Sequence, residues 1–358
     1  MTQPTLTCID SGSANTYLGL VGDNAPRATI ATVAGKPRHA GVQAGLDSAK
    51  TYVGDELEQK RNLFRMTYPL EKCQIVNWDD MREIWRHSFQ NELRLDASDC
   101  VSILSEHPRI DFKARAEICR TFFESYSVKG FYIQNAQILA MIGSGQTTGV
   151  TLDIGEGMAH AVPIYEGCQL FHAMRRSDFS GRELTDSLFN QLKQLEPQFP
   201  QDISILRDIK EKLCYVQSKS KPVQQATYEL PDSFQLKTKA LTLTNPCEVP
   251  EMLFSGQNAV QNLILNSIEA CDVDVQADLE RNIVLSGGST KFEGFAERLQ
   301  TELQGKRRGI EVNALEDRQY ATFVGQSVLG CLDTFKDMYV TAAEYAEQGA
   351  EVINRRWL

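Results

Sequence analysis

The sequence lacks any excess of positive charge. It has 37 lysines and arginines against 47 aspartates and glutamates, which gives a formal net charge of −10 at pH 7. Proteins that bind nucleic acid without sequence preference need a basic surface, because most of their affinity comes from phosphate contacts. The composition therefore argues against nucleic acid as a partner.

Three other common features are missing. No apolar run approaches the ~18 residues that a membrane-spanning helix needs. The first residues, MTQP, do not have the layout of a signal peptide. The nine cysteines are scattered without a Cys-x-x-Cys pair, so neither a zinc site nor a disulfide framework is indicated. We expect reduced thiols, no membrane span and a cytoplasmic protein.

The chain is long enough for two domains. It has 358 residues, of which 42% are hydrophobic and 23% charged, as is typical of a globular protein with sizeable cores. No low-complexity linker divides it. A repeated sequence motif instead suggests that a second half begins at about residue 140.

The repeated motif predicts two similar hairpins. Its two copies are CIDSGSA at residues 8–14 and TLDIGEG at residues 151–157. Each copy precedes a second apolar run, YLGLV at 17–21 or AVPIY at 161–165. Each apolar run that ends in aspartate and meets a glycine turn is typical of a tight hairpin with a carboxylate at its mouth, here Asp10 and Asp153. A single copy would most often be an ordinary β-turn. Two copies, one in each half, favour a shared function.

The glycine-containing turns predict phosphate binding as that function. Small residues let backbone N–H groups approach a ligand, and a turn that aims several of them at one point forms an anion site. Two such turns would hold a polyphosphate, and the two aspartates would hold its Mg²⁺ through waters. A third segment, NIVLSGGST at 282–290, joins a β-rich run to a glycine turn before a helical pattern at 295–300, which is typical of a nucleotide site.

These segments resemble the phosphate 1, phosphate 2 and adenosine motifs of the actin superfamily. The similarity to actin and close actin-related proteins runs from about residue 5 to the C-terminus. It includes GKPRH, YVGDE, NWDDM, AVPIYEG, RDIKEKLCYV, NSI and CDVD, at 35–39, 52–56, 77–81, 161–167, 207–216, 266–268 and 271–274. The resemblance implies an α/β fold of two duplicated, ribonuclease H-like domains around a nucleotide cleft. The first would comprise 1–139 and 330–358 with an inserted subdomain at about 32–68, and the second 140–329 with one at about 179–258.

The resemblance also implies ATP or ADP with Mg²⁺ as cofactors, and it assigns roles to residues. Asp10 and Asp153 would lie beside the metal. The phosphate loops would comprise Ser11, Gly12, Ser13, Asn15, Gly155, Glu156 and Gly157. The adenine and ribose would contact Gly181, Arg207, Lys210, Glu211, Gly287, Gly288, Ser289, Lys291 and Phe292. By spacing alone, positions 207, 210 and 211 share one face of a helix, which would more often be a solvated charged face.

Two departures from the actin pattern concern the chemistry. Tyr17 stands where actin has a lysine that reaches the phosphates, and a phenol does not replace a cation there. An ungapped match puts Ala136 where actin has the glutamine that orients the attacking water. The neighbouring Gln137 points about 100° away on a helix, so it would serve only after a one-residue register shift. His160 matches actin's second water-positioning residue, and any ATPase activity is expected to be slow.

Of the surfaces that actin uses for polymerisation, this sequence keeps one and departs from others. The loop at 38–47 has the full length of actin's DNase-binding loop, and its apolar Val42 and Leu46 suit insertion into a neighbouring copy. The segment 254–262, in contrast, is shorter than the stretch that forms the plug between the two strands of the actin filament. The last residues, 354–358, lack actin's cysteine.

Three functions compete at this stage. The first is a nucleotide-dependent cytoskeletal polymer that associates with itself through the 38–47 loop and with actin-binding proteins. The second is a non-polymerising subunit of a larger complex that keeps nucleotide as a structural ligand. The third is a small-molecule kinase on the same fold. The actin-specific matches outside the phosphate loops disfavour the kinase, and the intact loop favours the polymer.

Overall fold

The computed structural model describes residues 3–38, 47, 50–59, 61–217, 223–230 and 240–356. Val42 and Leu46, predicted to contact a neighbouring copy, lie outside the described residues. The chain divides into two compact units. Unit 1 comprises 1–146 and 320–358, and unit 2 comprises 147–319, so residues 140–146 and 320–329 belong to unit 1.

The first segment of unit 1 supplies most of its strands. In chain order its elements are β1 (Thr5–Ser11), β2 (Asn15–Leu20), β3 (Ala28–Ala31), β4 (Ala34–Pro37), α1 (Asp55–Gln59), β5 (Phe64–Thr67), β6 (Leu70–Glu71), β7 (Gln74–Ile75), α2 (Trp78–His87), β8 (Cys100–Glu106), α3 (Phe112–Arg120), β9 (Gly130–Asn135) and α4 (Ala136–Gly143). Short π-helical turns, Ser88–Leu93 and Thr121–Ser125, follow α2 and α3.

Unit 2 is one continuous segment. Its elements are β10 (Gly149–Ile154), β11 (Ala159–Tyr165), β12 (Cys168–Gln169), β13 (Arg175–Ser177), α5 (Gly181–Leu195), α6 (Ile203–Leu213), β14 (Ala226–Glu229), β15 (Ala240–Leu243), α7 (Glu248–Glu251), α8 (Val260–Glu269), α9 (Val273–Glu280), β16 (Ile283–Ser286), α10 (Phe295–Gln304) and β17 (Val312–Asn313). The chain then returns to unit 1 with α11 (Ala321–Gly330), β18 (Val340–Thr341), α12 (Ala342–Gln348) and α13 (Val352–Arg356).

The two main sheets share one topology. In unit 1 the order is β18-β9-β8-β1-β2-β3, and in unit 2 it is β12-β11-β10-β16-β17, with β13 also paired to β11. In each sheet an antiparallel hairpin, β1–β2 or β10–β11, continues into two parallel strands, β8–β9 or β16–β17. Strand β8 is buried along its whole length, as expected of a parallel strand covered on both faces. The mixed α/β class predicted from the sequence is confirmed.

Smaller sheets lie outside the main ones. Strands β4 and β5 pair beside a separate hydrophobic cluster of Val33, Tyr52, Leu57 and Phe64. Strands β14 and β15 form a two-stranded sheet in unit 2. Within the described part of the chain, no helix is both long and apolar enough to span a membrane.

Glycines allow α4 and α11 to pack at unusually close range in unit 1. A Cβ added at Gly325 would lie 1.8 Å from the carbonyl oxygen of Leu139, and one at Gly143 would lie 2.3 Å from that of Ala321. Gln326 on α11 donates its Nε2 hydrogen to the carbonyl oxygen of Ile9 at 2.8 Å. Helix α11 is therefore fixed both to α4 and to the strand that carries Asp10.

Candidate functional site

The two predicted hairpins have the same backbone hydrogen bonds. In the first, the N–H of Gly12 donates to the carbonyl oxygen of Asn15 at 2.9 Å. In the second hairpin, the N–H of Gly155 donates to the carbonyl oxygen of Met158 at 3.2 Å. Each bond closes a two-residue turn, Ser13-Ala14 or Glu156-Gly157, just beyond the strand that ends after aspartate. The duplication seen in the sequence is thus a duplication of local structure.

The residue opposite each aspartate is also equivalent. Asp10 pairs with Tyr17 across β1–β2, and Asp153 pairs with His160 across β10–β11. Directly opposed residues of antiparallel strands point to the same face of the sheet. Tyr17 and His160 therefore share a face with the two aspartates, and His160 is only 1% exposed.

A serine on the adjacent parallel strand completes each hairpin. Ser105 donates its hydroxyl to Asp10 Oδ1 at 2.6 Å, and Ser286 is in register with Asp153. The sequence analysis missed both serines. Their signal is a serine at the carboxyl end of an otherwise apolar strand, in SILSE and IVLSGG.

The first hairpin has further polar partners. The indole N–H of Trp85 donates to Ser11 Oγ at 3.2 Å, although Trp85 itself is almost fully buried. At the tip, Ser13 Oγ is buried and makes no hydrogen bond within the described residues. A buried hydroxyl of this kind requires a partner, and a phosphate oxygen is chemically suited to accept from it.

The tip of the second hairpin is bonded to the start of α5. The N–H of Gly181 donates to Gly155 O at 2.9 Å, and the N–H of Arg182 donates to Glu156 O at 3.0 Å. Ser180 Oγ also donates to Glu156 O at 2.8 Å, and Ser180 forms a capping box with Glu183. The predicted positions 155, 156 and 181 are therefore adjacent in space.

Two cations of α6 hold the Glu156 carboxylate. Arg207 donates to Glu156 Oε1 from Nη2 at 2.7 Å and from Nε at 3.1 Å, and Lys210 Nζ lies 3.7 Å from Oε2. Lys210 Nζ also donates to Gly181 O and Thr185 Oγ1, both at 2.8 Å. Its pKa is lowered because burial disfavours the charged form. Glu211, the third predicted residue of α6, is exposed.

The glycine turn after β16 abuts the second hairpin. Gly287 has a φ of 84°, and a Cβ there would lie 2.6 Å from Asp153 Oδ1 and 2.5 Å from Ile154 O. Ser289 Oγ donates to Gly155 O at 3.4 Å. Only glycine combines this backbone conformation with so close an approach. The structure thus brings the second phosphate motif and the adenosine motif together within unit 2.

The remaining residues of the adenosine motif differ from one another in burial. Gly288 begins a 3₁₀ turn, Gly288–Lys291, and is exposed. Lys291 is exposed and donates to Glu316 O at 2.6 Å, whereas Phe292 is 8% exposed and packs in the unit 2 core. The predicted helix follows only at Phe295, after this turn.

The segment expected to position water lies where β9 meets α4. Asn135 caps α4 by accepting from the N–H groups of Gln137, at 2.8 Å, and Ile138, at 3.4 Å. Gln137 is 1% exposed, whereas Ala136 beside it is half-buried. Adjacent residues at the helix start therefore point in different directions, as the helical geometry predicts.

No group of three or more His, Cys, Asp or Glu side chains suited to a metal occurs among the residues with described positions. Mg²⁺ keeps several waters and usually takes one or two protein carboxylates plus substrate phosphates. One aspartate on a phosphate-type hairpin, as each unit has, fits that chemistry, whereas it would not fit a structural zinc site.

The chain matches the protein-family model described as Actin over residues 3–202 and 198–358. The match covers nearly the whole chain and includes both hairpins, α6 and the glycine turn after β16. The resemblance inferred from the short motifs is confirmed: the chain belongs to the actin family.

Proposed function

We propose that this protein is an actin-like, ATP-binding cytoskeletal protein of the cytoplasm that forms nucleotide-dependent polymers of non-standard geometry. The observation that carries the proposal is the pair of equivalent hairpins, each with an aspartate, a glycine turn and a serine on the adjacent strand. The family fold generally binds nucleotide and Mg²⁺. Nucleotide would then act as the switch for self-association.

The phosphates would be held by the hairpin tips. Ser11, Gly12, Ser13 and Asn15 form one tip, and the buried Ser13 hydroxyl supports a phosphate partner there. Gly155, Glu156 and Gly157 form the other. Asp10 and Asp153 would hold Mg²⁺ through waters. When bound, the ion neutralises phosphate oxygens and polarises the terminal phosphoryl group.

The adenosine side would be built in unit 2. Arg207 and Lys210 are already bonded to Glu156 and to the start of α5, so they would shape the site more than they would supply charge. The exposed Glu211 carboxylate can accept hydrogen bonds from ribose hydroxyls. Gly181 and the segment from Gly287 to Phe292, with Ser289 and Lys291, would approach the base.

Hydrolysis should be slow, since Ala136 stands where the family glutamine orients water. We expect Ala136→Gln to accelerate phosphate release from bound ATP, because it would restore the water-orienting amide of the family pattern at a position that is only half-buried. His160, opposite Asp153, would remain the other water-positioning group. Single-turnover phosphate release measures the effect.

Gln137→Ala separates the two possible registers. If Ala136 occupies the functional position, Gln137→Ala should leave the rate of phosphate release within about twofold, provided the variant folds. No acceleration by Ala136→Gln, together with a large loss in Gln137→Ala, would show that Gln137 has the role instead.

The segment matching the actin plug supports an altered polymer. Phe254 is 6% exposed, packs on Phe295 at 5.2 Å between ring centroids, and lies under the Arg298 guanidinium. Residues 255–258, SGQN, are exposed and polar. The apolar part of this segment is therefore committed to the core of unit 2. A few apolar side chains buried between two filament strands would stabilise the contact by several kcal/mol, at ~25 cal/mol per Å² of apolar surface buried. Residues 255–258 offer no such side chains for a contact between strands.

Assembly with Mg²⁺-ATP and salt should therefore give single protofilaments, ribbons, sheets or tubes. Longitudinal contacts would use the 38–47 loop, while lateral pairing through residues 254–262 would be weak. Sedimentation followed by electron microscopy tests this expectation, and two-stranded helices with actin-like crossovers would contradict it.

The second candidate is a non-polymerising subunit with structural nucleotide. Tyr17, Ala136 and the polar surface of residues 255–258 favour it. A protein that binds Mg²⁺-ATP but stays monomeric across salt and nucleotide conditions would establish this alternative. Phosphate transfer to a sugar would instead support the kinase, which has no separate structural support.

A further inference from the structure

A small lobe of unit 1 carries the base of the 38–47 loop. The lobe comprises the described residues between 33 and 67, and strands β4 and β5 form its sheet. It has a hydrophobic cluster of its own, formed by Val33, Tyr52, Leu57 and Phe64. The main core of unit 1 takes the smaller Ala34 and Val53 from this segment. Because the two clusters are separate, polar contacts have a large share in attaching the lobe to the rest of unit 1.

Both ends of the 38–47 loop are bonded to this lobe. Arg38 donates from Nε to Phe64 O on β5 at 2.9 Å. At the other end, the N–H of Asp47 donates to Tyr52 Oη at 2.9 Å. Tyr52 in turn exchanges two backbone hydrogen bonds with Gly35 on β4, both of 2.9 Å. The points at which the chain leaves and rejoins the lobe are therefore set by the position of the small sheet.

Helix α2 holds the lobe through a buried carboxylate. Asp80, in the first turn of α2, has a side chain that is only 2% exposed. Its Oδ2 accepts from Thr67 Oγ1 on β5 and, at 2.7 Å, from Nδ2 of Asn77, the N-cap of the helix. Lys36 on β4 brings its Nζ to 3.8 Å from Oδ1. One carboxylate therefore contacts both strands of the small sheet.

This carboxylate depends on its partners from the lobe. Asp80 Oδ1 is buried and accepts no hydrogen bond within the described part of the chain. A buried carboxylate is costly unless charge and hydrogen bonds compensate it. Here the charge comes from Lys36, whose side chain is 55% exposed and reaches inward from the surface. The compensation lasts only while β4 and β5 remain against α2.

The last residue of α2 meets the lobe in a different way. Gly54 has a φ of 72° and precedes α1, and a Cβ there would lie 2.6 Å from His87 Nε2. Glu92 Oε1 lies 2.9 Å from the same nitrogen and fixes the ring. Close packing at Gly54 prevents movement of the lobe toward α2, whereas the contacts of Asp80 oppose movement away from it.

We propose that Asp80 is the positioning residue that fixes the small lobe, and with it both ends of the 38–47 loop, against α2. Without the carboxylate, the lobe would open from α2 while the main sheet of unit 1 stays folded. The attachment involves unit 1 alone and needs no nucleotide. Its consequence for assembly rests on the polymer function proposed above, because the loop would then be presented to a second copy less precisely.

Hydrogen exchange of the full chain, followed by mass spectrometry without nucleotide, tests the attachment. Asp80→Asn should speed exchange of the backbone amides that pair between β4 and β5 by about tenfold or more. The reason is that loss of the buried charge lowers the free energy of opening the lobe. Amides of β1 and β8 should exchange at the wild-type rate, which a general loss of stability in unit 1 would not allow.

Asp79→Asn is the matched control on the same helix. The Asp79 side chain is 88% exposed and pairs with Arg82 on the surface, so its substitution should leave exchange within about twofold of wild type. Exchange of β4 and β5 that is equally fast in Asp80→Asn and Asp79→Asn would overturn the positioning role.

Substitutions on the lobe keep the test decisive if Asp80→Asn does not fold. Lys36→Met and Thr67→Val should each speed exchange of β4 and β5, because each removes one partner of Asp80. Lys36→Arg keeps the charge and Thr67→Ser keeps the hydroxyl, so both should exchange as slowly as wild type. Wild-type exchange in Lys36→Met and Thr67→Val would also contradict the proposal.

Sedimentation with Mg²⁺-ATP and salt then tests the consequence for assembly. Asp80→Asn should raise the critical concentration by about threefold or more, since a less ordered loop binds a neighbour more weakly. Fast exchange with an unchanged critical concentration would overturn the link to assembly. If the wild-type protein does not sediment under any condition, the polymer function fails, and the exchange rates alone decide the role of Asp80.

Discussion

Replacing either hairpin aspartate by asparagine is expected to lower the affinity for Mg²⁺-ATP by about tenfold or more, equivalent to about 1.4 kcal/mol. The substitution removes a negative charge and keeps the side-chain volume, and in Asp10→Asn a side-chain oxygen remains to accept the Ser105 bond. The loss therefore reports the missing charge beside Mg²⁺ and the phosphates. Displacement of a fluorescent nucleotide measures the affinity of Asp10→Asn and Asp153→Asn.

The control for this prediction is Asp278→Asn. Its carboxylate is on the surface and pairs with Arg281, so nucleotide affinity should not change. With Mg²⁺ chelated, wild type and both hairpin variants should bind ATP with similar, weak affinity. Wild-type affinity in Asp10→Asn and Asp153→Asn with Mg²⁺ present would remove the metal role from both residues.

Substituting Gly325 by alanine should destabilise unit 1 by about 3 kcal/mol, at the upper end of the range for overpacked cores. The new Cβ would lie 1.8 Å from the Leu139 carbonyl oxygen, 2.5 Å from its carbon and 2.9 Å from its Cα. All three atoms belong to the backbone of α4, so no rotamer change relieves the clash. Helix α11 must move away from α4. Urea unfolding, monitored by circular dichroism, measures the change in free energy.

Gly305→Ala serves as the comparison. Gly305 follows α10 with φ −64° and ψ −20°, and its added Cβ would make contacts of 3.4 and 3.6 Å. Its substitution should leave stability within about 0.5 kcal/mol of wild type or raise it slightly. If Gly325→Ala were as stable as Gly305→Ala, α4 and α11 could not be as close as described.

The hairpins could be predicted because their signals are local. An apolar strand, an aspartate, a glycine turn and a second apolar strand fit within about a dozen residues. The glycine turn at 287–288 is an equally local signal, and the structure adds the φ of 84° at Gly287 and its close approach to Asp153. The exact start of α10 was not visible, because the 3₁₀ turn Gly288–Lys291 separates it from the strand.

Contacts between distant residues could not be predicted from these patterns. Arg207 and Glu156 are 51 residues apart, and their ion pair exists because α6 packs beside the start of α5. The i, i+3, i+4 spacing alone would place Lys210 on a solvated face, yet the residue is only 4% exposed. Periodicity reports which residues share a face but not which element covers that face. The edge-to-face contact of Tyr320 with Tyr17, at 5.1 Å between ring centroids, could not be predicted for the same reason, since most of the chain separates the two residues.

The division of unit 1 into two segments has a consequence for biosynthesis. All residues of unit 2 have been added once residue 319 has been translated, whereas unit 1 still lacks α11 and β18 at that point. Phe323 and Phe335 belong to the same buried cluster as Cys8 and Ile103, so that cluster remains open while all of unit 2 is being made. In the nascent chain, the residues that complete unit 1 are therefore added after all those of unit 2. The packing of α11 against α4 can form only once residues 321–330 have been translated, however early the rest of the unit 1 sheet is made.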